Sequence, residues 1–487
     1  MSMFQHADIL LKEAKTCLSN ISSLNHRLNA LISVRPPESV LTRVSEVALK
    51  CTESQSGLAG KLFAFKDNFC TIDQPTTCAS KMLQGYVSPF EATVMTRLYK
   101  IAHAIDVGRA NMDEFAMGTD NIFSVYGPPL NPLYSTPRSA GGSSGGSACA
   151  VAAGMCHFAL GTDTGGSVRL PAAYCGVVGF KPSYGLVSRH GVVAFAQSLD
   201  TVGVLARDVQ TVREVFNVIS AYDPLDPTSV SNELRRQLQT NTARRRQASK
   251  GKYKLGIPLE FIVDSCSPDI TNAWAAVLKK LLAQGHELYA VSMPSIKSAL
   301  PTYYILGPSE AASNLSRYDG VRYGYRANVD RVANGVLYGV TRSEGFGSEV
   351  RRRILLGNYN LSSGAFNNHY IQAQKVRRKL QLNFDGVFSV DHPLEKPIDR
   401  DDQLTVDFLV APCSTGTAPL LSDILSQKSP LDSYVNDVLT VPASLAGIPA
   451  ISIPWHTDDG KVVGIQVMGQ YGDDDRVLDV SETIMSL

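Results

Sequence analysis

Residues 141–176 read GGSSGGSACAVAAGMCHFALGTDTGGSVRLPAAYCG, with Gly and Ser gathered into a cluster at each end of an apolar run. The run between the clusters carries no Asp, Glu, Lys or Arg, and it predicts a rigid, buried helix from about Ser147 to Leu160. Glycines beside serines let the backbone adopt positive φ and bring bare N–H groups close to a reacting carbonyl. We therefore expect the two clusters, which contain Ser143 and Ser167, to converge on one point.

The composition is that of a soluble globular protein, with 487 residues, 44% hydrophobic and 19% charged. The formal net charge of +1 excludes a global basic field of the kind that binds nucleic acid. No apolar run reaches about 18 residues, so no membrane span is predicted. Nine cysteines without a CxxC pair indicate free thiols in a reducing compartment. The first 20 residues predict an amphipathic helix without the marks of a signal or transit peptide.

Strand and helix patterns interleave along the whole chain. Residues 5–34 predict one or two helices, and KLFAFKDNF (61–69) predicts a strand that runs into a loop. Residues 267–294 begin with Ser-Pro-Asp and carry an apolar stripe, which predicts a helix followed by a strand. Short buried strands are predicted in FLVAPCSTGTAP (408–419) and PAISIPW (449–455). This alternation predicts an α/β fold with a largely buried sheet.

Two polar stretches are predicted to lie on the surface. Residues 235–254, RRQLQTNTARRRQASKGKYK, carry eight basic and no acidic side chains. Two interpretations stay open: a solvated loop insertion, which we favour, or a contact with RNA phosphates. Residues 391–403, DHPLEKPIDRDDQ, predict a surface loop.

A reactive serine in such a turn needs a base. Gly142–Gly146 matches the G-x-S-x-G of a nucleophile elbow, but NPLYSTPRSA before it predicts a loop where an elbow needs a strand. The histidines have no flanking motif, with His157 predicted inside the apolar helix, and neither a Walker A nor a GxGxxG pattern is present. The remaining candidate is Lys66, because burial after the apolar LFAF segment would lower its pKa. By itself, a lysine at a strand end is more often a surface residue.

Sequence blocks spanning nearly the whole chain resemble the amidase signature family. Beyond the two Gly-Ser clusters, the blocks are NMDEFAMG, SNLSRYDGVRYGYR, RSEGFGSEVRRRILLG, YVNDVLTVPASLAGIPAISIP and GIQVMG. The resemblance implies a single large α/β/α domain over residues 1–487, built around a central mixed β-sheet. Within it, we expect an N-terminal helical segment at about 1–45, the signature core at about 60–210 and the basic surface insertion at about 235–254.

The resemblance also implies the catalytic groups. The family uses a Ser–cis-Ser–Lys triad, so Ser167 is expected to be the nucleophile, Ser143 the bridging serine on a cis peptide bond, and Lys66 the base. The main chain around Ser167 is expected to supply the oxyanion hole. Its members are Thr164, Gly165 and Gly166, together with Ser167 itself.

The positions that match the family's glutamine-binding residues are Tyr303, Arg353 and Asp437. A guanidinium suits the α-carboxylate of glutamine, and a carboxylate suits its ammonium. The neighbouring Tyr304 and the run Arg351–Arg353 leave the alignment open by one or two positions. Arg353 as an ordinary exposed helix arginine is the alternative.

Among family members, the blocks most resemble those that hydrolyse glutamine for a tRNA-dependent amidotransferase. This implies glutamine as the substrate, an acyl-enzyme on Ser167, and glutamate and ammonia as products. The implied partners are a B subunit and a small third subunit, of C-type or a fungal equivalent. Ammonia would reach the B subunit, where Glu-tRNA(Gln) becomes Gln-tRNA(Gln) with ATP and Mg²⁺. This chain itself is expected to hold no cofactor or metal and to bind no membrane.

The sequence leaves two other functions open. The first is a stand-alone amidase acting on another small amide, against which Tyr303, Arg353 and Asp437 argue. The second is a catalytically silent scaffold, against which the intact Lys66, Ser143 and Ser167 argue. The near-neutral pI and the short basic stretch favour a mitochondrial location, with the cytoplasm as the alternative for a bacterial protein.

Overall fold

The structure of the chain, a computed structural model, describes residues 3–50, 57–249, 251–329, 337–398, 404–426 and 434–487. Within these ranges, 11 strands form one mixed sheet in the order β1-β3-β2-β4-β6-β5-β10-β11-β9-β7-β8. The strands are β1 (Leu31–Val34), β2 (Leu62–Lys66), β3 (Ile105–Ala110), β4 (Phe158–Asp163), β5 (Val178–Lys181), β6 (Thr201–Ala206), β7 (Lys254–Pro258), β8 (Glu287–Val291), β9 (Phe408–Pro412), β10 (Ala450–His456) and β11 (Val462–Gly469).

The direction of pairing changes along the sheet. Parallel pairs lie towards the two edges, where β2 pairs with β3 and β4, and β7 pairs with β8 and β9. The middle of the sheet, from β4 through β6, β5, β10 and β11 to β9, is antiparallel. The predicted mixed α/β sheet is therefore confirmed.

Helices cover both faces of the sheet. In the described ranges they are α1 (Met3–Leu28), α2 (Pro37–Lys50), α3 (Thr93–Lys100), α4 (Gly145–Ala152), α5 (Arg169–Cys175), α6 (Val209–Ile219), α7 (Asn232–Ser249), α8 (Pro268–Ala283), α9 (Ala299–Asn314), α10 (Gly339–Gly345), α11 (Ser348–Asn360), α12 (Tyr370–Val387), α13 (Leu421–Ser426), α14 (Val441–Ala446) and α15 (Asp474–Met485).

The sheet separates two apolar cores, and strand β2 shows how. Phe63 and Phe65 pack into the larger core, whereas Leu62 and Ala64 pack into the core under the N-terminal helices. Successive side chains of a strand point to opposite faces, so a strand covered by helices on both sides must be apolar throughout. This explains why the LFAF run has no polar alternation, and it buries the following Lys66 completely.

The segment between the two Gly-Ser clusters differs from the predicted helix. Helix α4 ends at Ala152, Gly154 adopts φ +68° in the turn, and residues 158–163 form strand β4 instead. Strand β4 pairs with both β2 and β6, and these ladder contacts outweigh its helical propensity. The chain therefore runs out along a helix and returns along a strand, which brings the two clusters together: the N–H of Ser144 donates to the carbonyl of Ser167 at 3.1 Å.

Three other expectations need correction. The N-terminal segment is not wholly helical, because strand β1 lies between α1 and α2 and pairs with β3. The basic stretch 235–254 is not a loop: it lies mostly in helix α7 and ends in β7. His157 lies in the turn before β4, where its Nδ1 accepts from the N–H of Leu62 at 3.0 Å.

Helix α7 uses most of its arginines within the protein. Arg235 donates to the carbonyl of Val230 at 2.8 Å, and Arg245 and Arg246 pair with Asp473 and Asp479 of the chain's C-terminal part. Arg236 and Arg244 are the exposed arginines that remain on this helix. Contacts with other parts of the chain thus account physically for three of its five arginines.

Residues 391–398 of the predicted loop 391–403 are irregular as expected, and residues 399–403 lie outside the described ranges. The eight cysteines of the described ranges are unpaired, and Cys51 lies outside those ranges. Among the helices that the structure describes, none is long and apolar enough to cross a membrane.

Candidate active site

Lys66 ends strand β2 at the point where the two Gly-Ser clusters meet. Its Nζ donates to Oγ of Ser143 at 2.6 Å, to Oγ of Ser144 at 2.9 Å and to the carbonyl of Thr162 at 3.3 Å. The lysine is wholly buried, as are both serines. The alternative of an exposed strand-end lysine is therefore wrong, and the predicted contact between Lys66 and Ser143 is present.

Burial lowers the pKa of Lys66 to about 7, although nearby carboxylates oppose the shift. The opposing groups include Asp113, Asp163 and Asp200. Burial also raises the pKa of Asp113 to about 7, while N–H donors at Phe123 (3.1 Å) and Asn121 (3.0 Å) favour its carboxylate form. A buried lysine with a pKa near neutrality can accept a proton under physiological conditions.

The turn that carries Ser143 leaves no room for side chains larger than glycine. The Gly142–Ser143 peptide bond is cis, as predicted. A Cβ at Gly142 would lie 2.2 Å from Oδ2 of Asp113, and one at Gly146 would lie 2.4 Å from the backbone of Asn111. The glycines thus allow the serine cluster to pack directly on the segment that holds Asp113.

The second cluster presents open backbone donors. Within the described part of the chain, the N–H groups of Gly165, Gly166 and Ser167 donate to no protein acceptor. Gly166 adopts φ +145°, a region that favours glycine. Ser167 is partly exposed, whereas Thr164 is buried and donates from its hydroxyl to Asp200 at 3.0 Å. This turn can therefore stabilise a developing negative charge beside the Ser167 side chain.

A buried ion pair fixes the turn from behind. Both carboxylate oxygens of Asp163 accept from Arg169, at 2.9 and 3.0 Å, and Oδ2 also accepts from the N–H of Val168 at 3.2 Å. Arg169 donates further to the carbonyl of Thr440 and the side chain of Gln466. Sequence reasoning missed this pair, although both residues lie within the signature block.

The three predicted glutamine-binding residues lie close to this turn. Tyr303 on α9 packs against Gly165, where an added Cβ would lie 2.7 Å from Cζ of the tyrosine. Arg353 comes from α11 and Asp437 from the short 3-10 turn Val435–Asp437, and both side chains are buried. The hydroxyl of Tyr304 donates to Oδ2 of Asp437 at 2.8 Å, so both neighbouring tyrosines belong to the site.

Arg353 is a buried cation with one side in use. Its Nε donates to Oε1 of Glu349 at 2.7 Å, and in the described ranges neither Nη group donates to a protein acceptor. The rings of Tyr304 and Tyr434 lie 5.5 and 5.6 Å from its guanidinium carbon. The alternative of an exposed helix arginine is therefore wrong for Arg353, and its free Nη edge suits a carboxylate.

Burial raises the pKa of Asp437 to about 7, although the hydrogen bond from Tyr304 and the charge of Arg353 favour the carboxylate. A bound ammonium group would add a further charge that favours the carboxylate. Arg353 and Asp437 together thus offer opposite charges to a zwitterionic ligand. In the ranges that the structure describes, no cluster of His, Cys, Asp and Glu is suited to a metal ion.

Known proteins resemble this chain over nearly its whole length. A family model described as Amidase matches residues 14–478. The A subunit of the mitochondrial glutamyl-tRNA(Gln) amidotransferase of Yarrowia lipolytica is 49% identical over 472 residues, which cover 96% of this chain and 98% of the relative. The protein of the same name from Tuber melanosporum is 48% identical over 468 residues, covering 94% and 92%.

Solved structures agree with the fold. The crystal structure of the glutamyl-tRNA(Gln) amidotransferase A subunit from Thermotoga maritima matches with a TM-score of 0.75 at 34% identity, covering 99% of this chain and 94% of that chain. A crystal structure described as an amidase matches with a TM-score of 0.75 at 26% identity, covering 100% and 99%. The predicted fold class is thus confirmed by two independent structures.

Proposed function

The chain belongs to the amidase family, and we propose that it is the glutamine-hydrolysing A subunit of a glutamyl-tRNA(Gln) amidotransferase. One observation carries the proposal of amide hydrolysis: a buried Lys66 hydrogen-bonds Ser143 beside a turn whose backbone N–H groups have no acceptor among the described residues and whose Ser167 is partly exposed. The identity of 49% with a relative of that name supports the choice of glutamine over another amide.

In the proposed reaction, Oγ of Ser167 attacks the side-chain amide carbon of glutamine. The hydroxyl proton passes to Ser143, and Ser143 passes its own proton to neutral Lys66. The oxygen of the amide gains negative charge, which the backbone N–H groups of the turn stabilise. These donors are those of Thr164, Gly165, Gly166 and Ser167. These donors cost no reorganisation, because the turn is held by Asp163 and Arg169 before substrate binds.

Collapse of this intermediate breaks the C–N bond. The proton held by Lys66 returns through Ser143 to the leaving nitrogen, which departs as ammonia and leaves a glutamyl ester on Ser167. Water then attacks the ester carbon while Lys66 again accepts a proton through Ser143. The bond between this carbon and Oγ of Ser167 breaks, the proton returns through Ser143 to Oγ, and glutamate is released. The same proton relay serves both halves of the reaction, because acylation and deacylation each need a base and then an acid beside the reacting carbon.

The head of glutamine is proposed to bind at Arg353 and Asp437. The free Nη edge of Arg353 pairs with the α-carboxylate, and Asp437 pairs with the α-ammonium. Tyr303, which packs on Gly165, also packs edge-to-face against Tyr304 with ring centroids 5.1 Å apart, so it connects these residues with the oxyanion turn. This arrangement would hold the side-chain amide at Ser167 while both charges of the head are neutralised.

The ammonia is proposed to be used in a partner subunit. In this proposal, a B subunit binds ATP and Mg²⁺ and converts Glu-tRNA(Gln) to Gln-tRNA(Gln), and a small third subunit completes the complex. The names of the relatives support such an assembly, and they also agree with the predicted mitochondrial location.

The test is to purify the full chain with its co-purifying subunits and to measure ammonia release from glutamine, with and without charged tRNA. We expect glutamine hydrolysis and, with ATP, formation of Gln-tRNA(Gln). Hydrolysis of simple aliphatic amides in preference to glutamine would instead favour a stand-alone amidase. Failure of a glutamine-like electrophile to label Ser167 would favour a silent scaffold.

A further inference from the structure

Two stacked tyrosines lie beside the groups proposed to bind the two charges of the glutamine head. The rings of Tyr304 and Tyr434 are 4.0 Å apart at an interplanar angle of 18°. The hydroxyl of Tyr304 donates to Asp437 at 2.8 Å, and that of Tyr434 donates to Oε1 of Glu349 at 2.7 Å. Each tyrosine thus ends on a different buried carboxylate.

Glu349 is held on both of its oxygens. Oε1 accepts from Tyr434 and from Nε of Arg353, both at 2.7 Å, and Oε2 accepts from the guanidinium of Arg352. Glu349 is 1% exposed. Burial alone would raise the pKa of Glu349, but the charge and hydrogen bond of Arg353 and the bond from Tyr434 lower it overall. The carboxylate is therefore a fixed negative charge that the proposed hydrolysis does not use.

The contact with Glu349 decides which edge of Arg353 is left without a protein acceptor among the residues that the structure describes. A guanidinium is planar and rigid, so occupation of Nε on one side leaves the two Nη groups for a carboxylate. The rings of Tyr304 and Tyr434 lie at similar distances from its guanidinium carbon and limit its rotation. Without the bond to Glu349, the long side chain could adopt other rotamers in the pocket.

We infer that Glu349 and Tyr434 are positioning residues that fix Arg353 for the α-carboxylate, and that the Tyr304–Tyr434 stack sets its separation from Asp437. This inference rests on the proposed function. The fixed separation of Arg353 and Asp437 favours the binding of amides that carry both an α-carboxylate and an α-ammonium. Neither residue touches the reacting amide, so the effect is on binding.

Four amides distinguish binding of the α-carboxylate at Arg353 from binding of the α-ammonium at Asp437. Glutamine has both charged groups, glutaramate has only the carboxylate, 4-aminobutanamide has only the amine, and butanamide has neither. The last three are measured as competitive inhibitors of glutamine hydrolysis, so that none needs to be a substrate. The enzyme is the full chain purified with its partner subunits.

Tyr434→Phe keeps the stack and removes the hydroxyl bond to Glu349. We expect KM for glutamine and Ki for glutaramate to rise about 10-fold, as for one lost hydrogen bond to a charged group. The Ki of 4-aminobutanamide and the kcat for glutamine should stay within about twofold, because uniform binding alone is lost. Glu349→Gln should give the same selective pattern with a larger change.

Tyr304→Phe is the matched control at the other end. It removes the hydrogen bond to Asp437, so it should raise the Ki of 4-aminobutanamide and leave the Ki of glutaramate unchanged. Tyr434→Leu removes the stack itself and should raise the Ki of both inhibitors. Equal weakening of all amides by Tyr434→Phe would overturn the inference, since it would show a structural role only. A wild-type enzyme that binds glutamine no better than butanamide would instead refute the proposed function.

Discussion

Nζ of Lys66 lies 2.6 Å from Oγ of Ser143, and both residues are wholly buried. The two side chains come from segments 77 residues apart, one at the end of strand β2 and the other in the turn before helix α4. Burial depresses the pKa of the lysine, so the pair can carry a proton between the serine and the nitrogen at neutral pH. The first predictions concern this contact.

Replacing Lys66 should abolish glutamine hydrolysis while other functions of the complex persist. Both Lys66→Ala and Lys66→Arg are expected to lose activity, because Ala has no base and Arg stays protonated at working pH. The loss should reach about 100-fold or more, as for removal of a general base. Ammonia release is the measurement, and near-normal turnover by Lys66→Arg would contradict the assignment of Lys66 as the base.

The pH dependence should distinguish the base from the binding carboxylate. Burial sets the pKa of both Lys66 and Asp437 at about 7 in the empty site, and both must be deprotonated to act. Below pH 7, kcat/KM should therefore fall by up to about 100-fold per pH unit, whereas kcat falls about 10-fold, because bound ammonium keeps Asp437 ionised. Profiles of both parameters over about pH 5–9 test this. With Asp437→Asn, both should show the shallower slope, and an unchanged steep limb would rule out titration of Asp437.

Arg353 and Asp437 should matter only for substrates with a charged head. Arg353→Met or Asp437→Asn leaves one charge of bound glutamine unpaired, which should lower kcat/KM by about 100-fold or more. An aliphatic amide without the α-amino and α-carboxylate groups should show a much smaller change. Assays of both substrates with each variant decide the matter. If both substrates lose activity equally, the two residues have a structural role.

Ser167→Ala should separate ammonia production from ammonia use. The substitution removes one oxygen from a partly exposed residue, so the fold should hardly change. The assembled variant complex should make no Gln-tRNA(Gln) with glutamine as the donor, yet it should do so with ammonium salts at high concentration. Full activity with glutamine would refute Ser167 as the nucleophile. Loss with both donors, in a complex that still assembles, would show that this chain takes part in the tRNA step.

The Asp163–Arg169 pair should contribute strongly to stability. Both side chains are wholly buried, so Arg169→Met leaves an uncompensated carboxylate and should cost about 3–5 kcal/mol. The more exposed pair of Arg246 and Asp479 provides a control, since Arg246→Met should cost no more than about 1 kcal/mol. Urea unfolding of the wild type and the two variants, followed by circular dichroism, gives the comparison. Equal midpoints for the two variants would show that the buried pair contributes no more than a surface one.

Much of the site followed from the sequence because its parts are local. The glycines around Ser143 and Ser167 predict local structure directly, because glycine permits tight turns and leaves backbone N–H groups accessible. The apolar LFAF run predicts a buried strand, but burial of the lysine after it is indicated only by the combination with the Gly-Ser clusters and the block resemblance, because a lysine at a strand end is more often exposed. Lys66, the cis bond at Ser143 and the positions of Tyr303, Arg353 and Asp437 were therefore accessible from residue types and block resemblance.

Other features depended on contacts between distant segments, which no local pattern contains. The run after Gly154 has helical character, but its pairing with β2 and β6 makes it strand β4, and that return path brings Ser144 within hydrogen-bond distance of Ser167. Likewise, Glu349 and Tyr434 are 85 residues apart, and they form a hydrogen bond only because α11 packs beside the segment that precedes Asp437. The sequence by itself determined which groups could react, because chemistry belongs to the residue. The tertiary structure alone decided how each group is oriented and desolvated, because those depend on neighbours that the chain supplies from afar.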